Sequence, residues 1–188
     1  KIIVKETYAS ASALAADMVL QQIQQQPRSV LSVPTGGTPI GCYEEMSRRA
    51  QKERIDFSGL TFFNMDEYAG MRRDDPNGYY YFLNDHLYRH TNVKPENTHC
   101  PDVCAPDLEA ECQRYTRQIE QAGGLDLILL GIGRDGHIAF NMPGEALTLD
   151  AHVEHLSQET IRDNSRFFAK EEDVPTRAVS IGVGVILS

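Results

Sequence analysis

Leu127-Ile-Leu-Leu-Gly-Ile-Gly-Arg-Asp-Gly-His-Ile-Ala-Phe-Asn141 is the stretch around which the rest of the chain can be ordered. Residues 127–130 are all apolar, and a continuous apolar run is what a parallel strand covered on both faces looks like. Gly131, Gly133 and Gly136 follow, and glycines let a chain turn sharply and approach a ligand closely. In open α/β sheets the ligand crevice lies beyond the carboxyl ends of the strands. Asp135 and His137 stand there, two positions apart. A carboxylate so placed can orient an imidazole, and the imidazole can move a proton near neutral pH. The same residues also read as a glycine turn with two solvated polar side chains, and spacing alone does not choose.

Working outward, the strand-then-glycine pattern recurs. Ser29-Val-Leu-Ser-Val33 reads as a strand and Pro34-Thr-Gly-Gly-Thr-Pro39 as its exit, with a helix over 40–52. Thr38 takes the N-cap position and Pro39 the first helical one. Free N–H groups and the helix dipole would favour an anion there. Neither the Gly-Lys-[Ser/Thr] ending of a P-loop nor the dinucleotide glycine pattern is present, so a small phosphorylated metabolite fits better. A plain strand–turn–helix connection remains open. A third strand, 60–64, runs into Met65-Asp-Glu-Tyr-Ala-Gly70, which puts Asp66 and Glu67 at a strand end. One carboxylate of such a pair can serve as a general base, although a simple turn has the same look.

Elsewhere, residues 1–5 read as a strand and 10–26 as an amphipathic helix ended by Pro27. Residues 76–87 read as a helix whose aromatics, Tyr79, Tyr80, Tyr81 and Phe82, pack in the core. An irregular loop is expected over 91–106, and a helix over 107–121 capped by Asp107 and stopped by Gly123-Gly124. Met142-Pro-Gly-Glu145 is a turn, and His152-Val-Glu-His155 reads as a surface segment. Residues 178–181 are a last strand, and Val185-Ile-Leu187 resembles the opening of a helix. Strands alternating with helices give a three-layer α/β fold with a mostly parallel sheet and helices on both faces.

Composition fits one soluble globular domain: 188 residues, 41% hydrophobic and 24% charged. The chain has no initiator methionine and ends on an apolar run, so a single domain over 1–188, cut short at its C-terminus, is expected. No apolar run approaches membrane-spanning length and no signal-peptide pattern is visible, so a cytoplasmic protein is expected. The formal net charge of -9 argues against general nucleic-acid binding. Cys42, Cys100, Cys104 and Cys112 match no zinc spacing, even with His99 beside Cys100. Free thiols are expected, with no metal.

Four blocks together resemble a known family. Pro34-Thr-Gly-Gly-Thr-Pro39, Phe63-Asn-Met-Asp-Glu-Tyr68, the Gly131 to Asn141 block and Ser165-Arg-Phe-Phe168 look like the signatures of the glucosamine-6-phosphate deaminases (isomerases). The resemblance implies a Rossmann-like fold and conversion of glucosamine 6-phosphate to fructose 6-phosphate and ammonia, without a cofactor. His137, oriented by Asp135, would open the sugar ring. Asp66 would move the proton between C2 and C1. Thr35, Gly36, Gly37, Thr38 and Arg166 would hold the phosphate, with Glu67 and Gly133 also at the substrate. The family pattern continues Phe-Asn-Glu-Pro, its glutamate joining the ring-opening relay; Met142 stands there here, so a weakened relay is expected. A galactosamine-6-phosphate deaminase, an impaired sugar-phosphate binder and a phosphogluconolactonase remain alternatives. Self-association is left open.

Overall fold

A computed structural model describes residues 1–144 and 146–188, Phe167 through its backbone alone. The turn expected over residues 142–145 therefore ends outside the described residues. Strands β1 (Val30–Ser32) and β2 (Thr61–Phe63) lie parallel, with Leu31 opposite Phe62. Strand β5 (Leu127–Ile128) flanks β1, and β4 (Thr98–His99) flanks β2, giving a parallel sheet in the order β4-β2-β1-β5. Side chains alternate across a strand, so neighbouring residues enter different cores. Leu31 and Phe62 join the apolar faces of α1 (Tyr8–Gln25), α2 (Ile40–Glu53) and α3 (Tyr79–His86). Val30 and Phe63 join α4 (Leu108–Gln121) on the other side. Leu31 is 0% exposed, and truncating such a residue to alanine typically costs about 2–5 kcal/mol.

Local sequence accounts for the helices. Thr7 and Ser10 form a reciprocal capping box at the start of α1, whose Ala16, Val19, Leu20 and Ile23 recur at helical spacing on its buried face. The Asp107 carboxylate accepts the Ala110 N–H to cap α4, and Gly123 and Gly124, at φ +98° and +84°, turn the chain away at its end.

A second sheet departs from the single sheet expected. Strand β3 (Asp66–Tyr68) pairs antiparallel with β7 (Arg177–Ser180), which pairs antiparallel with β6 (His152–His155). Its far face packs Tyr68, Phe140, Leu156 and Ile161, with α5 (Gln158–Asn164) started by a Ser157 cap. Helix α6 (Val183–Leu187) follows β7.

Other expectations need correction. Residues 1–5 form no strand: Ile2 and Val4 are 93% and 87% exposed, and no described strand lies beside them. The organising apolar run is half-buried, because β5 is an edge strand of the described sheet. Strand β4 lies inside the segment read as a loop, and β6 is the polar His-Val-Glu-His segment read as surface. Short edge strands of mixed polarity carry too little alternation to be read.

Candidate active site

A cavity of about 470 Å³ opens where the carboxyl ends of β1, β2 and β5 meet the second sheet. The loop after β5 brings the acid–base pair. The Gly133 N–H bonds the His137 carbonyl at 2.9 Å, the Gly136 N–H bonds the Gly133 carbonyl at 3.0 Å, and Gly136 takes φ +94°. This tight turn lays the His137 imidazole on Gly133. A Cβ at Gly133 would lie 2.3 Å from Cε1 of the ring, so a side chain there would push the ring aside. Asp135 Oδ1 accepts the His137 backbone N–H at 3.1 Å and lies 2.7 Å from Nδ1 of the ring. The Nδ1 contact is close but off the direction of a well-formed hydrogen bond, leaving Nδ1 without a directed acceptor. Bonds of this kind commonly align only once substrate is bound. The His137 backbone N–H, more than the imidazole, holds the Asp135 carboxyl below its usual range. With Nδ1 turned to Asp135, Nε2 is the nitrogen left to exchange a proton. Two residues on, Ala139 takes φ +53°, a conformation that costs a non-glycine residue and clusters at functional sites.

Asp66 and Glu67 are adjacent in β3 and therefore point to opposite faces. Asp66 lines the cavity, is 6% exposed and has its carboxyl pushed up to about 8, first by burial and then by Glu67. Glu67 corrects the expectation of substrate contact. Its carboxylate is turned to α3, where it accepts the N–H groups of Tyr68, Tyr79 and Tyr80.

The turn after β1 brings Thr35, Gly36, Gly37 and Thr38 to the cavity. Gly36 takes φ +91°, and the space beside both glycines is open for 4 Å. Among the described residues, no acceptor takes the N–H of Gly36, Gly37 or Thr38. Helix α2 starts at Ile40 as expected, but Pro39 and not Thr38 is its cap, and the Thr38 hydroxyl accepts no helix N–H. A tyrosine far away in sequence does that instead. The Tyr8 hydroxyl accepts the Gly41 N–H and donates to the Thr38 carbonyl, both at 2.9 Å.

Arg166 and Gly133 also line the cavity, so the structure brings together every expected site residue except Glu67 and Met142. Met142 packs its thioether against the cluster of Tyr68, Phe140 and Leu156, as an apolar side chain will. An aromatic set was missed. The Tyr79 hydroxyl donates to that of Tyr68 at 2.9 Å, Tyr79 stacks on Phe140, and Phe168 meets Tyr68 edge-on. Tyr68 and Phe168 stand within the quoted sequence blocks, which is the available signal; the aromatic run that holds Tyr79 reads as core.

Among the described residues, no three His, Cys, Asp or Glu side chains gather as a metal set, and no helix is long and apolar enough to cross a membrane. The four cysteines carry no disulfide.

Fold and cleft define a Rossmann-like α/β protein with a small-metabolite site at its strand ends. Its family follows from comparison with known proteins. The chain belongs to the family described as glucosamine-6-phosphate isomerases/6-phosphogluconolactonase, whose profile matches residues 4–179. It is 44% identical over 187 residues to a glucosamine-6-phosphate deaminase of Halothermothrix orenii, covering 100% of this chain and 78% of that protein. A counterpart in Alkaliphilus oremlandii is 46% identical over 184 residues, covering 98% and 76%. A solved structure described as a monomeric glucosamine-6-phosphate deaminase superposes with a TM-score of 0.97 at 41% identity, over 100% of this chain and 78% of that one. The 6-phosphogluconolactonase of Thermotoga maritima, at 19% identity and a TM-score of 0.71 over 96% and 75%, shares the fold.

Proposed function

We propose that this chain converts glucosamine 6-phosphate and water to fructose 6-phosphate and ammonia, a net hydrolytic deamination. One observation carries the reading: a buried carboxyl, an Asp–His pair and a glycine turn with unclaimed N–H groups line a single cavity. The phosphate lies on the Gly36, Gly37 and Thr38 N–H groups, with Arg166 as a charged donor. His137 takes the proton of the C1 hydroxyl and returns one to the ring oxygen as the C1–O bond breaks, Asp135 stabilising the imidazolium. The aldehyde so formed acidifies the C2 hydrogen. Asp66, ionised, removes that proton and delivers it to C1 while one proton of the C2 amino group passes to O1, which leaves an imine at C2. Water adds to C2, and the carbinolamine collapses with loss of ammonia.

A base whose proton affinity sits near neutrality suits both halves of the C2-to-C1 transfer. The unbridged cysteines suit a reducing, cytoplasmic compartment. Ammonia release from glucosamine 6-phosphate and from galactosamine 6-phosphate, measured side by side with hydrolysis of 6-phosphogluconolactone, tests the reading. Release from the glucosamine ester alone is expected. Lactone hydrolysis without ammonia release would overturn it.

A further inference from the structure

We propose that Glu67, which does not line the cavity, is a positioning residue for the proton transfer at carbon. Its carboxylate ties β3 to the start of α3, and its charge governs the basicity of Asp66 beside it. The inference rests on the reading of Asp66 as the base. Glu67 is 1% exposed. Its Oε1 accepts from Tyr68 N–H at 3.0 Å and Tyr79 N–H at 2.9 Å, and its Oε2 from Tyr80 N–H at 2.8 Å.

Helix α3 has Gly78 at its cap position, with no side chain of its own capping it. The first N–H groups of a helix need an acceptor, and a carboxylate there is favoured by the dipole. Glu67 supplies it from another element, so the strand that carries Asp66 and the helix that carries cavity-lining Tyr79 are held as one piece. A Cβ on Gly78 would meet Met71 Cγ at 3.0 Å and the Asp75 carbonyl at 3.2 Å, and would reach Glu67 Oε2 only at van der Waals contact, 3.4 Å.

A carboxylate held in this way is a like charge one residue from Asp66, and like charges disfavour ionisation. Burial pushes Glu67 up to about 7 against its three N–H donors, and Asp66 stands at about 8. Facing the pair are Tyr68 on β3, Tyr79 on α3, Cys100 after β4 and Tyr115 on α4, all pushed upward by burial and so neutral. Asp75 lies near Glu67, and Asp135 and His137 share the cavity with Asp66. After burial, the Glu67 charge is what raises the Asp66 carboxyl, so removing it lowers Asp66.

Carbon-13 carboxyl NMR across pH on the 188-residue chain, beside the pH profile of C2-hydrogen exchange, tests this. In the unaltered protein both carboxyls should titrate above the ordinary carboxylate range and as a coupled pair. In Glu67→Gln the Asp66 midpoint and the acid limb of exchange should both fall by about one pH unit. Glu67→Asp, which keeps the charge but shortens the reach, should hold the acid limb and lose rate. A Glu67→Gln protein that melts earlier with Asp66 titrating unchanged would reduce Glu67 to a helix cap and overturn the proposal. If that variant does not fold, the unaltered protein decides: Asp66 titrating alone in the ordinary range overturns it. Absent ammonia release by the unaltered chain would remove the functional reading, while the titration would still judge the coupling.

Discussion

Asp66→Asn separates what the base does for chemistry from what it costs the fold. The substitution keeps shape and removes both the charge and the proton acceptor. The Asp66 carboxyl has an ordinary value of 3.8 and stands at about 8 in the folded chain. Below pH 4 both folded and unfolded states carry the proton, and nothing is lost. Between about 4 and 8 the unfolded chain releases it while the folded chain keeps it, so the unfolded state binds fewer protons and stability falls as pH rises. Above 8 the loss is complete. The rise from 3.8 to about 8, at 1.36 kcal/mol per pH unit, sets a ceiling of about 6 kcal/mol. Asp66 opens onto the cavity and titrates with Glu67, so we expect Asp66→Asn to gain about 2 kcal/mol over the parent at pH 8 and almost nothing at pH 4.

Two assays check this. Urea unfolding at pH 4, 6 and 8 should show the gain growing with pH, and exchange of the C2 hydrogen in deuterated water should stop. Ring opening, assigned to His137, should survive. A variant destabilised equally at all three pH values would refute the burial argument. A variant that still exchanges the C2 hydrogen would refute the assignment of the base.

Further outcomes follow from single contacts. Gly133→Ala places a Cβ where the His137 ring lies, so ammonia release should fall roughly 10²-fold with little change in melting temperature; an unchanged rate would show that the ring need not rest there. Arg166→Ala should weaken binding of glucosamine 6-phosphate by about 1.5–3 kcal/mol in calorimetry, and equal affinity for unphosphorylated glucosamine in the parent would sink the clamp. Tyr8→Phe should raise KM a few-fold and spare kcat, because the hydroxyl that ties Thr38 to Gly41 steadies the turn and touches no reacting atom. Met142→Leu conserves volume within its cluster, so the rate should stay within about twofold; a tenfold loss would return the thioether to the relay.

Much of the site was legible because each turn follows its own strand. Gly36, Gly37, Asp66, Gly133, Asp135 and His137 each stand within a few residues of an apolar run, and strand-to-glycine exits are local signals. What stayed hidden depends on partners far along the chain. Strand β3 pairs Asp66 with Ser180, and nothing in the polar residues around either announces that register. Tyr8 caps a helix 33 positions away. The orientation of Glu67 was within reach: once residues 66–68 are a strand, alternation forbids both carboxylates from facing the cavity. It was missed because Met65-Asp-Glu-Tyr reads as a turn. The β-branched run of residues 1–5 carries the opposite risk, since a strand pattern makes a strand only beside another one.

The position of the base follows from where the chain changes sheets. After Phe63 the backbone leaves the parallel sheet. The Asn64 N–H still bonds the His99 carbonyl at 2.9 Å, while the Met65 carbonyl already accepts the Ile181 N–H at 2.8 Å. Asp66 is thus the first residue of the second sheet, in the seam between the two, and the seam is what buries it. The same end of β7 anchors the loop that carries Asp135 and His137. Ser180, opposite Asp66, accepts the Phe140 N–H on its Oγ at 3.0 Å, and the Asn141 side chain donates to the Ile181 carbonyl at 2.8 Å. If the loop of Asp135 and His137 and the strand of Asp66 are to serve one sugar, they need a common reference. Ser180 at the end of β7 and Ile181 just beyond it provide one, by hydrogen bonds that run to both.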